Sequence, residues 1–186
     1  MVKTHSREKL LNAIIFFAAN TKYCGKTKLF KLLYLLDFDH FKTTGRSVTG
    51  LSYYAWEKGP VPIKLDSELD EPAGDLFEAV RIEPEQLANY QRLNIVPQRE
   101  FDPSHFSNRE LRLLDEIAGK YFEAKAGDMV EVTHAESGAW DKVWQDGQGK
   151  HHLIDYALAL DGVPDVARIQ QAAHEYSETL KRVGTA

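Results

Sequence analysis

Two apolar helical segments separated by a short break leave this chain few ways to fold. Leu10, Leu11, Ile14, Ile15 and Ala18 follow i, i+1, i+4, i+5, i+8, and Phe16 and Phe17 widen that face. The pattern predicts a heavily buried helix over residues 6–19. Residues 20–25 make a break, with Gly25 free to take positive φ. Thr27 is the expected N-cap of a second helix, 28–41, with Leu29, Leu32, Leu33 and Leu36 as its stripe and Phe30 and Tyr34 beside it. Two such helices so close in sequence predict an antiparallel hairpin.

Thr43, Thr44 and Gly45 end the second helix, with Gly45 as C-terminal cap. Residues 51–57 are aromatic and poor in helix signals, which predicts a short strand. Gly59-Pro60 is expected to stop it, and Pro62 to lie in the first turn of a following helix. Residues 66–75 read as a surface loop or short helix, and Leu76 to Val80 as at least one helical turn. Residues 92–101 alternate weakly and are expected to pair with 51–57 in a small antiparallel sheet, Pro97 confining them to an edge. Ser107-Asn108-Arg109-Glu110 is a capping box opening a helix whose face is Leu111, Leu114, Ile117, Ala118 and Tyr121. Gly127-Asp128 opens a short helix to about His134, and Ser137 to Trp144 continue as helix or turn. Residues 145–152 are a polar loop. Asp165 is expected to cap a last helix carrying Val166, Ile169, Ala172, Ala173, Tyr176, Leu180 and Val183. The fold class is therefore mostly α with a minor antiparallel β element.

At 186 residues one domain is the default. No apolar stretch reaches membrane-spanning length and no signal-peptide core is present, which predicts a cytosolic protein away from membranes. Cys24 is the single cysteine, so no disulfide within the chain and no cysteine-based zinc cluster can form. The net charge of −5 is unevenly spread: residues 1–64 hold 11 Lys/Arg and 4 Asp/Glu, residues 65–186 hold 12 and 24. Such asymmetry fits either a basic patch for an acidic partner or nucleic acid, or two faces of one domain that attract each other. Overall acidity argues against phosphate binding and favours the second reading.

The local chemistry is sparse. Gly25-Lys26-Thr27 is like the end of a phosphate loop, but Asn20 stands where its first glycine belongs and a helix precedes it. Asp37, Asp39 and His40 cluster at a helix end, where Asp37 and His40 share a face. A metal there would need ligands from elsewhere. His151 and His152 with Asp155 lie in a polar loop. Cys24 lacks an evident activating partner. No motif calls for a cofactor. Tyr53, Tyr54 and Trp56 divide, on a strand, between core and exterior. Any exposed member beside the rigid Gly-Pro corner is a candidate binding hot spot.

Lys28-Leu29-Phe30-Lys31-Leu32-Leu33-Tyr34, then Thr44-Gly45-Arg46, then Ala55-Trp56-Glu57-Lys58-Gly59-Pro60-Val61 resemble the Panacea (SocA-like, GepA-type phage-associated) antitoxin domain. Leu114-Asp115-Glu116, Val132-Thr133-His134-Ala135-Glu136 and Ala139-Trp140 fit its second block. The resemblance spans about residues 8–145, with 80–105 as a variable stretch and the tail from about 150 unmatched. It implies a non-enzymatic antitoxin that neutralises a cognate protein toxin, often encoded next to it. Small-alarmone-synthetase-like toxins are one partner class, and delivery to a ClpXP-type protease is an alternative route. It implies a structural role for Lys28, Leu29, Lys31, Leu32, Leu33, Tyr34, Gly45, Arg46, His134 and Trp140. The expected toxin contacts are Tyr53, Tyr54, Trp56, Glu57, Lys58, Gly59, Pro60 and Val61. The competing reading is a metal-dependent enzyme using His134 and Glu136 with Asp37 and His40. The more economical expectation is a turn in which His134 bonds to backbone.

Overall fold

The computed structural model describes residues 5–86, 91–135 and 138–182. Glu136, Ser137 and Val183, singled out above, lie outside them. The described residues form eight α-helices and five short strands, so the mostly-α class holds. Helix α1 (His5–Asn20) and helix α2 (Lys26–Thr44) are the expected hairpin pair. Leu10 through Phe17 are buried without interruption, as a helix apolar on all sides must be. Buried Asn12 is satisfied: its amide donates to Glu8 O at 3.0 Å and its Oδ1 accepts from the Asp102 amide at 2.9 Å.

Helix α2 is the axis of the molecule. It packs against α1, α5 (Asn108–Lys120), α6 (Ala126–Ala135) and α8 (Val166–Arg182). Leu29, Leu32, Leu33, Tyr34, Leu36 and Phe38 are all fully buried. Burial of each such side chain contributes about 1.5–3 kcal/mol. Gly45 ends α2 as expected, in the left-handed region at φ 71, its amide bonded to Phe41 O. It is also where α8 crosses: a Cβ at Gly45 would lie 2.5 Å from Ile169 O. The start of α2 differs from expectation. The helix begins at Lys26 with Gly25 as a cap that makes no side-chain bond, and Thr27 is inside it. The positive φ of the break falls on Tyr23 (59°), with Gly25 at −91°.

Strand β1 (Tyr53–Trp56) is central in a three-stranded antiparallel sheet, between β2 (Gly59–Val61) and β5 (Leu153–Ile154). Gly59-Pro60 thus does not end the sheet; it starts its second strand, and Pro62 precedes α3 (Ile63–Asp70). The segment expected to pair with residues 51–57 is a strand, β4 (Gln91–Pro97), but its partner is β3 (Val80–Gln86). Helix α4 (Gly74–Ala79) leads directly into β3, and the hairpin makes a separate two-stranded ribbon. Ile95, on that ribbon, donates its amide to Cys24 O at 3.0 Å, and its side chain enters the core. The capping box at Ser107 and Glu110 forms as read, with both reciprocal bonds present.

The uneven charge resolves into pairing between the two parts of the sequence. Arg7 reaches Glu68 and Asp75, Lys9 reaches Glu110 at 2.5 Å, Lys22 reaches Glu123, and Lys26 reaches Asp66 and Asp70. Lys28 and Lys31 are buried outright. Much of the basic first third is thereby paired or buried internally, while Lys58 and Lys64 stay exposed.

Candidate functional site

Four separated motif segments meet at one place, the turn between β1 and β2. Ala55 spends its amide and carbonyl on His152 O and the His151 amide, on the side away from β2. Its β2 partner, Pro60, therefore sits at a non-bonding position of that pair, where a missing N–H costs nothing. The Pro60 carbonyl points off the sheet and accepts from Lys31 Nζ at 2.8 Å. Gly59 adopts φ 94, and a Cβ there would lie 2.8 Å from Lys31 Nζ and 3.0 Å from Thr133 Oγ1. Glycine is required twice over, by conformation and by space. From helix α7 (Ala139–Trp144), Trp140 donates its indole N–H to Trp56 O at 3.1 Å. Three helices thus hold the turn from beneath.

Lys31 is buried with one carbonyl as hydrogen-bond acceptor, and burial pushes its pKa down to about 7. His134 lies flat on Trp140, ring centroids 3.6 Å apart and planes 2° from parallel, and Trp144 continues the stack at 5.4 Å. Burial, then the Lys31 charge, lowers the His134 pKa, with Asp141 opposing. Among the described residues the expected backbone bond is not made: the buried His134 Nε2 has no partner there, and Thr133 bonds the helix backbone at Met129 O and Val130 O. Aromatic stacking, rather than hydrogen bonding, positions this imidazole.

Lys28 is one turn away and is differently housed. Its ammonium donates to Lys22 O (2.7 Å), Tyr121 O (2.8 Å), Phe122 O (3.2 Å) and Ala124 O (2.7 Å). Burial lowers its pKa as well. The cage ties the α1–α2 break to the loop after α5. Leu29, Leu32, Leu33 and Tyr34 are core. Arg46 is exposed, and its guanidinium lies over the Tyr176 ring at 4.7 Å.

Asp37 and His40 do not face a common open space. Asp37 is fully buried, accepting from the Val48 and Thr49 amides, the Thr49 hydroxyl and the Tyr53 hydroxyl. Burial raises its pKa despite these donors. His40 Nδ1 meets Arg46 O at 2.7 Å. Both brace the α2–β1 loop. No group of three or more His, Cys, Asp or Glu among the described residues is arranged to hold a metal. Cys24 is buried, and burial pushes its thiol up to about 11, far from a nucleophile's range.

Of the expected contact residues, Tyr53, Gly59 and Pro60 are buried, Tyr54 and Val61 half-buried, and Trp56, Glu57 and Lys58 exposed. Trp56 keeps 37% of its surface, with His151 4.6 Å away. Leu153, 55% exposed and opposite Tyr54, belongs to the same face and escaped the sequence reading. A two-residue strand carries no alternation that could have flagged it. The unmatched tail is likewise part of this architecture, because β5 pairs with β1 and Tyr156 stacks on Phe38 at 4.4 Å and Phe41 at 5.3 Å.

No described helix is long and apolar enough to cross a membrane. Neither a curated protein nor a solved structure matches the chain significantly. Residues 29–141, more than half of the sequence, match the family described as Antitoxin SocA-like, Panacea domain. They run from the second residue of the Lys28–Tyr34 motif through the Thr133-His134 pair and Trp140, and the chain belongs to that family.

Proposed function

We propose that this chain is a cytoplasmic antitoxin that neutralises a cognate protein toxin by direct binding, without catalysing a reaction. The observation that carries the reading is the β1–β2 turn. Lys31, Thr133 and Trp140 brace it from below, and it presents Trp56, Glu57 and Lys58 to solvent. A preorganised aromatic loses little entropy on docking, which is how a few residues come to dominate an interface. An enzyme needs converging reactive groups; here Asp37 and His40 are spent on a loop, and His134 is stacked on an indole. Family membership supports a toxin as the partner, with small-alarmone-synthetase-like proteins as one class to try.

The test is co-expression with the product of the adjacent gene. Growth should be rescued, and the two proteins should co-elute on gel filtration. Neither rescue nor complex would sink the proposal. Rescue that vanishes in a strain lacking a ClpXP-type protease would replace occlusion by delivery for degradation.

A further inference from the structure

On β1, Tyr53 and Ala55 face the core while Tyr54 and Trp56 face out. Directly paired residues in antiparallel strands share a face. Val61 on β2 pairs with Tyr54, and Tyr54 with Leu153 on β5. Val61, Tyr54 and Leu153 therefore form an apolar row across all three strands, with Trp56 beside it. Leu153 and Trp56 are exposed and Tyr54 and Val61 half-buried, with Val61 also packed on the core. Apolar side chains that stay aligned and partly exposed on a sheet are a docking feature rather than scattered surface residues.

The segments around this row carry three lysines that make no ion pair within the described residues. Lys58 is in the β1–β2 turn, Lys64 is in the first turn of the helix after β2, and Lys150 adjoins His151, whose ring lies 4.6 Å from Trp56. All three are exposed, and none has an acidic partner among the described residues, whereas Arg7, Lys9, Lys22 and Lys26 are all paired. The carboxylates of the adjoining segments are Glu57 in the turn, Asp66, Glu68 and Asp70 on α3 (paired with Lys26, Arg7 and Lys26), Asp141 on α7, Asp146 after it and Asp155 after β5, whose side chain accepts from the Ala157 amide.

We infer that this sheet face is a docking site for an acidic protein surface, an apolar centre flanked by Asp or Glu, with the tail residues Lys150 and Leu153 supplying part of the recognition. The inference rests on the antitoxin reading and names the chemistry of its partner. Lys150 and Leu153 lie beyond the span matched to the family. The segment that defines the fold and the segment that selects the partner are then only partly the same. A partner can be exchanged by altering the tail while the signature is kept.

The experiment uses the full chain and the product of the adjacent gene, with affinity measured by calorimetry at two salt concentrations. Three proteins are compared: the wild type, a Lys58→Glu/Lys64→Glu/Lys150→Glu variant and Leu153→Ser. Raising salt from about 50 to about 300 mM should weaken the wild type roughly tenfold and the charge variant less than about threefold. At low salt the charge variant should bind at least about thirtyfold more weakly and Leu153→Ser about tenfold, with unchanged circular dichroism and melting temperature. Wild-type binding with both variants unaffected would overturn the inference and leave the antitoxin reading standing. No binding by the wild type would remove both. Stronger binding by the charge variant would overturn the acidic assignment specifically.

Discussion

Lys28 and Lys31 stand three residues apart on one helix, both buried, and their surroundings could hardly differ more. Among the described residues Lys28 has four carbonyl acceptors and Lys31 has one. An ammonium carries three donors, so Lys28 has an acceptor for each, although burial still lowers its pKa. Lys31 has one acceptor among the described residues, and burial brings its pKa down to about 7. Two buried lysines on one helix thus do different structural work. Four carbonyls around the ammonium make Lys28 a staple between loops, and one makes Lys31 a strut under a turn that titrates near neutrality.

Removing the staple should do most damage. Lys28→Met leaves four carbonyls without their donor and should cost about 3–5 kcal/mol in urea unfolding. A loss below about 1 kcal/mol would mean that the cage is incidental. Gly59→Ala tests the strut from the other side. It strains φ 94 and drives a methyl against Lys31 Nζ, and should cost about 2–3 kcal/mol.

The contrast sharpens with pH. Unfolded, Lys31 titrates near 10.5; folded, near about 7. Between those values the unfolded chain binds a proton that the folded chain lacks, so stability rises with pH, by up to about 1.4 kcal/mol per unit from this group. Below the window both states are protonated and the fold carries the buried charge. Lys31→Met should flatten that slope; an unchanged slope would refute the assignment. The smallest effect is expected outside both sites. Trp56→Ala should change unfolding free energy by no more than about 0.5 kcal/mol while weakening toxin binding about thirtyfold, as measured by calorimetry.

Local chemistry was readable in the sequence, and distant pairing was not. The Ser107 to Glu110 capping box and the Gly45 cap depend on a few consecutive residues, and both formed as read. The partner of β4 is β3, whose charged Arg81-Ile82-Glu83-Pro84-Glu85 shows no run of β-formers to advertise a strand. The depth of the two lysines left a trace that motif reading passed over. On α2 the stripe Lys28, Lys31, Leu35, Phe38 would be the solvent face of an ordinary helix, yet it continues into Leu and Phe. The convergence of Lys31, Gly59, Thr133 and Trp140 needed three-dimensional placement, because 109 positions separate the outermost pair.

The Pro60 carbonyl, taken by Lys31, has a last consequence for how any partner can approach. A strand edge normally invites another chain to extend the sheet by backbone bonding. At the middle of β2 that invitation is withdrawn: proline offers no amide, and its carbonyl is already occupied. Under the proposed function, a partner would therefore be steered to the side chains on the sheet's face, where recognition is encoded in residue identity and not in generic backbone pairing. The same blocked edge disfavours backbone pairing between copies of this chain at the middle of β2.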